Sequence, residues 1–354
     1  MESLELIKKL VMARGISGHE NAIAAIMQEQ LAATVKPEKD RMGSITFRYE
    51  GKGPKILIVA HQDEIGFIVN DILDNGFLKM QNIGGWDPNT LLSSPVEVIN
   101  RQGKIYPGII GSVPVHFQKG NNGKPNLSAM FVDVGAKDKQ DLLDNFQINL
   151  GDQIIPVCNY HYSEKNQRIF AKAFDDRVGI AATIESGRFA FENEHPNTII
   201  CTGSVQEEIG GRGALSLAMH TDADICLVLE GAPADDIPGI PGNSQTCVGQ
   251  GAHVRLFDPT MMVKKGLADF VLETARKHDI DIQPTIRKGG GTDGAKLHYA
   301  NRGLPTIVLG VPVRYAHSHN CHISLQDYQN LQKLLQKIIL ELDNSAYQKI
   351  IKSI

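Results

Sequence analysis

The stretch "KILIVAHQDEIG", residues 55–66, decides how the rest of the chain is read. Ile56 to Ala60 form an unbroken apolar run. A strand with one wet face alternates apolar and polar residues. An unbroken run instead predicts a strand covered on both faces, as in α/β sheets. The run ends in His61, with Asp63 two residues on. In open α/β sheets, ligands bind beyond the carboxyl ends of the strands. Side chains at i and i+2 of an extended segment project to the same side. Asp63 is therefore placed to accept the second imidazole N–H of His61, which would fix the tautomer that coordinates a metal.

Outward from this run the texture changes twice. On the amino-terminal side, Ser3 is positioned to cap a helix through about Met12. "SGHE" at residues 17–20 has capping-box spacing ahead of "NAIAAIMQEQLAA". "SITFRYE" alternates like a strand. From Gly66 to Ala171, short β-like runs are separated by Gly, Pro, Asn and Asp turns, and only "AKDKQDLLDNF" reads as helical. That pattern predicts a small β-barrel or sandwich. "GNNGK" at Gly120–Lys124 reads as a polar tip of this block, with no Walker pattern around it. After Phe174, strand-like and helix-like segments alternate again. The expected architecture is thus α/β, a mixed sheet with helices on both faces, carrying an inserted β-barrel-like unit. Residues 1–65 and 172–354 would form the catalytic part and residues 66–171 the insert.

Composition narrows the function classes. Of 354 residues, 42% are hydrophobic and 21% charged, as in ordinary soluble domains. A formal net charge of -4 carries no basic surplus, which argues against nucleic acid or an anionic membrane as partner. No stretch reaches the roughly 18 apolar residues of a membrane helix. The amino-terminal segment lacks the apolar run and small-residue site of a signal peptide. Cys158, Cys201, Cys226, Cys247 and Cys321 are scattered, and none forms a C-x-x-C pair. That usage fits reduced thiols in a cytoplasmic protein.

Four further stretches place metal-capable side chains after apolar runs or ahead of helices. "AKAFDDRVG" supplies Asp175 and Asp176; by itself it also reads as a helix N-cap with a second aspartate pairing Arg177. "SVQEEIGGRGA" supplies Glu207 and Glu208, with Gly210 and Gly211 able to break the strand there. "ICLVLEG" ends in Glu230, and "RYAHSHNCHIS" supplies His317, His319 and His322. In chain order these read H-x-D, D, E-E, E, H. Mixed imidazole and carboxylate donors suit zinc, cobalt or manganese. Two such ions about 3.5–4 Å apart can share a bridging water, which needs a base beside it. Of the adjacent glutamates, one would bind metal and the other move the proton.

On "AHQDEIGF", "FDDRVG", "VQEEIGGRGA", "GGTDGAKLH" and "RYAHS", in that order and rough spacing, the chain resembles the M42 family of metallo-aminopeptidases over nearly its whole length. These are also described as glutamyl, deblocking or tetrahedral aminopeptidases, and some members have been labelled endoglucanases. The resemblance implies a zinc-exopeptidase-like fold, with residues 66–171 as a dimerisation and assembly domain. It implies two divalent ions per subunit, zinc first, with cobalt and manganese as alternatives. His61 and Glu230 would serve one ion, Glu208 and His317 the other, and Asp175 would bridge both. Asp63 would orient His61, and Glu207 would be the general base. Peptides would be the substrates, and dimers would build a homododecamer. Gly291, Thr292 and Asp293 of "RKGGGTDGAKLH" would lie beside the substrate, although Thr292 or Asp293 also reads as a plain helix cap. Two departures stand out. Glu230 occupies a position where the family more often has aspartate, and "HNCH" at residues 319–322 falls where many members carry a glutamate.

The expected activity is removal of N-terminal residues from peptides by a metal-bridged water with a glutamate base. The alternatives are a glycosidase, which would need two facing carboxyl groups and gives no role to His61 and His317, and a scaffold whose metal site has degenerated.

Overall fold

The structure, a computed structural model, describes residues 2–117, 125–240 and 242–353. The tip at Gly120–Lys124 lies outside the described residues. The central nine-stranded sheet runs, from one edge, Glu38–Lys39, Ile45–Tyr49, Thr198–Ser204, Lys55–His61, Ile225–Pro233, Thr306–Val313, Ala252–Asp258 and Met261–Met262. Ile282–Ile286 pairs with Ala252–Asp258 off this path. Lys55–His61 is flanked on both sides by parallel neighbours. Ile225–Pro233 and Thr306–Val313 are also parallel to each other, while Ile45–Tyr49 pairs antiparallel, so the sheet is mixed.

Residues 56–61 are all buried, as are all of Thr306–Val313. Adjacent side chains point to opposite faces, so both faces are covered. The long helix Phe174–Glu192 lies against Lys55–His61, Thr198–Ser204 and Ile225–Pro233, with Leu325–Glu341 and Ser3–Met12 packed on it. Arg212–Ala218 and Gly294–Leu297 form a separate helix pair beside the sheet. Among the described residues, no helix is long and apolar enough to cross a membrane.

Six strands of the inserted block close into a barrel, in the order Gly66–Ile72, Phe77–Ile83, Phe131–Asp133, Ile105–Ile110, Pro95–Ile99 and Gln153–Pro156. Its own core includes Phe67, Leu78, Val98, Ile110, Val132 and Ile154, all fully buried. Closure removes the exposed edges that an open sheet of such short strands would leave. The hairpin His161–Ser163 and Arg168–Ala171 pairs instead with Cys321–Ser324 of the carboxyl-terminal part.

The two crossings between sheet and barrel meet at a buried cluster of charges. Glu64 lies where the chain leaves the sheet and Lys172 where it returns, and the Lys172 ammonium donates to the Glu64 carboxylate. Arg177 reaches the other Glu64 oxygen at 3.4 Å and donates to the carbonyl of Gly15 at 3.0 Å. This corrects the expectation that Arg177 pairs with a neighbouring aspartate. A fully buried guanidinium needs several acceptors, and these come from distant parts of the chain.

Both expected amino-terminal caps are also corrected. Ser3 starts its helix without capping it, and its hydroxyl donates to Glu185 at 2.7 Å. The helix Asn21–Leu31 has no side-chain cap. Ser17 and Glu20 keep the spacing of a capping box but serve the site described next.

Candidate active site

The carboxyl ends of Lys55–His61, Thr198–Ser204, Ile225–Pro233 and Thr306–Val313 come together. His61 and Glu230 stand on the strands themselves, and the loops that follow, with the start of the Phe174–Glu192 helix, add Asp175, Glu207, Glu208 and His317 to one cluster. His61 Nε2 lies 3.0 Å from Asp175 Oδ1 and 3.9 Å from Glu230 Oε2. His317 Nε2 lies 3.4 Å from Asp175 Oδ2 and 3.6 Å from Glu208 Oε1. Asp175 thus turns one oxygen to each imidazole.

The Nδ1 sides are already engaged. His61 Nδ1 donates to the backbone carbonyl of Asp63 at 3.1 Å, with the Asp63 carboxylate at 3.4 Å. The shorter contact is to the main chain, which modifies the expected imidazole–carboxylate bond. His317 Nδ1 donates to the Gly85 carbonyl at 2.8 Å. Gly85 belongs to the barrel, and a Cβ there would stand 3.3 Å from His317 Nδ1, so glycine permits this approach. With Nδ1 bonded to the main chain, each Nε2 faces the carboxylates and is the ring nitrogen left for a cation that displaces its proton.

The Asp63 carboxylate has a different task. Its Oδ1 accepts the Glu207 N–H at 3.0 Å, and its Oδ2 accepts the Glu208 N–H at 3.1 Å and the Ser17 hydroxyl at 2.6 Å. Glu20 Oε1 accepts the Gln206 N–H at 3.1 Å. These bonds hold the turn that carries both glutamates. The turn is possible because Gly210 and Gly211 adopt φ of 111° and 65°. Once seated, the Glu207 carboxylate makes no hydrogen bond among the described residues. Asp176 is committed elsewhere: its oxygens accept the His61 N–H at 3.2 Å and the Gly179 N–H at 3.0 Å, and the latter caps the helix proper.

Burial without counter-charge dominates the electrostatics. It pushes the Glu207 and Glu230 carboxyls well above their usual range, and neighbouring carboxylates add to this. Burial and the nearby Asp175 push Glu208 up to about 8. Asp175 goes the other way. Burial opposes its charge, but His317 and His61 outweigh burial and hold it below its usual range. His317 in turn rises to about 10 because Asp175 and Glu208 outweigh its desolvation. So many buried acids beside two oriented imidazoles form a donor set that lacks positive charge. Among the described residues, three groups have ligand atoms close enough to hold an ion: Asp175–Glu208–His317, His61–Asp176–Glu230 and His61–Glu207–Glu208. None includes His319, Cys321 or His322. His319 is buried with its ring 5.3 Å from that of Trp86, and Cys321 and His322 lie in a strand.

The pH dependence follows in sign. Glu208 keeps its proton in the metal-free fold to about 8, against 4.5 ordinarily, and His317 to about 10, against 6.5. Both pKa values are raised, so both contributions to metal-free stability are complete at low pH. The Glu208 contribution is lost as pH rises from 4.5 through about 8, and that of His317 from 6.5 through about 10. A cation must displace these protons. The melting temperature of the metal-free protein is therefore expected to fall between pH 6 and 9, and the increment on adding zinc to grow. Differential scanning calorimetry across that range checks both; an increment that shrinks with pH would contradict the assignment of the donors.

Beyond the cluster opens a cavity of about 660 Å³. Gly291 and Thr292 line it. Asp293 does not: it is buried, and its carboxylate accepts the Ser204 hydroxyl. Thr292 makes the local cap, its hydroxyl accepting the Gly294 N–H at 3.1 Å. Arg255, Arg287, Lys288 and Lys296, none of them singled out from the sequence, also line the cavity.

A mixed α/β sheet with an imidazole–carboxylate cluster at its strand ends is the layout of a metal-assisted hydrolase. Residues 43–334 match the family described as M42 glutamyl aminopeptidase, and the chain belongs to that family. It is therefore a peptidase that acts at peptide N-termini. A lysyl aminopeptidase from Pyrococcus furiosus is 30% identical over 97% of this chain and 98% of its own. A TET aminopeptidase from a marine sediment archaeon of the Thaumarchaeota superposes with a TM-score of 0.94 at 34% identity, covering 98% of this chain and 99% of the other. The TET1 peptidase of Pyrococcus horikoshii, which assembles into a tetrahedron or a large octahedral shell, gives 0.85 at 27% identity, over 96% and 100% of the two chains.

Proposed function

We propose that this aminopeptidase works with two divalent cations and uses Glu207 as its general base. The observation that carries this is Asp175, whose two oxygens face His61 and His317 separately. His61, Asp175 and Glu230 would hold one ion, and Asp175, Glu208 and His317 the other. Bound there, the cations would polarise the scissile carbonyl and lower the pKa of the attacking water, a role that zinc, cobalt or manganese would fill with these ligands. The longer Glu230 is accommodated, since its Oε2 reaches to 3.9 Å of His61 Nε2. Glu207, whose carboxylate has no hydrogen-bond partner among the described residues, takes the proton of the attacking water and returns it to the departing amine. Asp63 positions both glutamates through their backbone N–H groups rather than by touching substrate.

The division of labour in the chain is read the same way. Residues 1–65 and 172–354 form the catalytic part, and residues 66–171 mediate self-association into dimers and a dodecamer. Exposed Ile109, Phe117 and Leu150 on the insert support that role, as does the shell built by the TET1 relative. Five unpaired cysteines fit a cytoplasmic setting.

The test is chelation and reloading with zinc, cobalt or manganese, assayed on aminoacyl p-nitroanilides and their N-acetylated counterparts. Turnover is expected only with a cation and only with a free N-terminus. Chelator-resistant turnover, or equal cleavage of the acetylated compounds, would refute the reading. Chelator-resistant hydrolysis of a polysaccharide would favour the glycosidase alternative.

A further inference from the structure

The two cation positions rest on different parts of the fold. His61 and Glu230 stand on central strands that have parallel neighbours on both sides. Glu208 and His317 instead meet the barrel. A Cβ on Gly84 would stand 3.0 Å from Glu208 Oε2, and the Gly85 carbonyl accepts His317 Nδ1 at 2.8 Å. Both glycines follow the barrel strand Phe77–Ile83, and the next residue is Trp86, the chain's single tryptophan.

The loop that presents His317 needs holding. Tyr315 and His317 both adopt φ of 61°, a left-handed backbone that side chains disfavour. Inside the loop, the Ser318 hydroxyl and the Cys321 thiol donate to the Tyr315 carbonyl at 2.8 and 3.1 Å. These bonds close the loop on itself without fixing where it sits. Its outer anchor is His319, two residues past the ligand, buried with its ring 5.3 Å from that of Trp86 at an interplanar angle of 53°. Trp86 is itself seated in the barrel. Its indole N–H donates to the Gly66 carbonyl at 3.2 Å, and its ring stacks 5.0 Å from that of Phe67, which is fully buried in the barrel core. Ring pairs of this kind set orientation as well as burying area.

We propose that Trp86 is a positioning residue for the cation held by Glu208 and His317. It backs the His317 loop through His319, while the Gly85 carbonyl beside it fixes the His317 ring. The barrel thereby completes one cation site and leaves the His61–Glu230 site to the sheet. The proposal rests on the two-cation reading. Removing a group that orients a metal-binding imidazole typically costs roughly 10- to 100-fold in metal affinity.

The test titrates zinc into the metal-free protein, with affinities from calorimetry and bound equivalents from mass spectrometry. The wild type is expected to bind two ions. Trp86→Ala should keep one at wild-type affinity and bind the other at least about 10-fold more weakly. Trp86→Phe retains a ring against Phe67 and His319 and should restore most of that loss. His319→Ala removes the same contact from the other side, leaves the barrel core intact, and carries the test should Trp86→Ala fold poorly. The double variant should lose little more than either single one, since both act through one contact. The emission of Trp86 gives a second readout. It should change as zinc fills the Glu208–His317 position, and in His317→Ala the ion that remains should leave it unmoved.

Equal weakening of both ions by Trp86→Ala and by His319→Ala would mark a general structural role and overturn the proposal. So would unchanged affinities, or an emission change that persists in His317→Ala. A wild type that binds a single ion would bring down the two-cation reading and this proposal together. Two ions bound with unchanged affinity in the variants would bring down the proposal alone.

Discussion

Replacing Glu207 with glutamine is expected to lower kcat/KM by about 10³-fold or more while both cations stay bound. General acid–base groups contribute roughly 10²- to 10⁴-fold, and here one group serves both halves of the reaction. Glutamine keeps the size and shape of the side chain but cannot accept a proton. The backbone N–H of residue 207 still bonds Asp63 Oδ1, so the turn carrying Glu208 is undisturbed. Stability gives a second readout. Burial and the surrounding acids hold Glu207 protonated in the metal-free fold well past its usual range. Burial penalises the charged form of this side chain, and a neutral one escapes that penalty. The metal-free Glu207→Gln protein is therefore expected to melt no lower than the wild type at pH 7. Metal analysis by mass spectrometry, steady-state kinetics and calorimetry on one preparation check all three. A metal-replete variant that kept more than a tenth of the activity would remove Glu207 from its role.

Much of this site was legible because its residues follow apolar runs. His61 and Glu230 each sit at the end of a continuous hydrophobic stretch, and such stretches in a parallel sheet deliver their last residues to one edge. What the sequence concealed was pairing over long distance. Ser17 and Glu20 have capping-box spacing, yet the Ser17 hydroxyl donates to Asp63, and Glu20 accepts the distant Gln206 N–H beside the local Gly18 N–H. Spacing carries only local information, and a buried carboxylate brought close by the fold outcompetes a local N–H. The same holds for Arg177, which bypasses its neighbouring aspartates for Glu64. Closure of the insert into a barrel was equally hidden. Short alternating strands suit a barrel and a sandwich alike, and the difference lies in which edges meet. The basic residues that line the cavity were half visible: "RKGGGTDGAK" brackets its glycines with Arg287, Lys288 and Lys296. Arg255 left no such signal, since a lone arginine inside an apolar strand gives no hint of the cavity it faces.

Replacing Asp175 with asparagine should produce the opposite pattern, with both cations lost and stability lowered. The two oxygens of Asp175 approach both imidazoles, at 3.0 Å from His61 and 3.4 Å from His317. Asparagine offers one oxygen and one NH₂ group, and the latter donates hydrogen bonds rather than electron pairs to a metal. One of the two ions must lose a ligand, and neither keeps a shared anion between them. Activity is expected to drop by about 10³-fold or more at ordinary metal concentrations, since both functions of the metal pair depend on it. The metal-free protein should also suffer. Asp175 has a depressed pKa because it stays ionised against His317 and His61, so its contribution to stability is present above its ordinary value of 3.8 and complete at pH 7. Breaking a buried charge pair from one side costs about 3–5 kcal/mol at most, and the partial exposure of His317 reduces this. A lower metal-free melting temperature at pH 7 is the expected sign. His317→Ala separates bridging from simple ligation, because it removes a donor from one ion only. It should retain one equivalent of metal per subunit where Asp175→Asn retains none. If Asp175→Asn also kept one tightly bound ion, Asp175 would serve a single metal and the two-ion scheme would have to be abandoned.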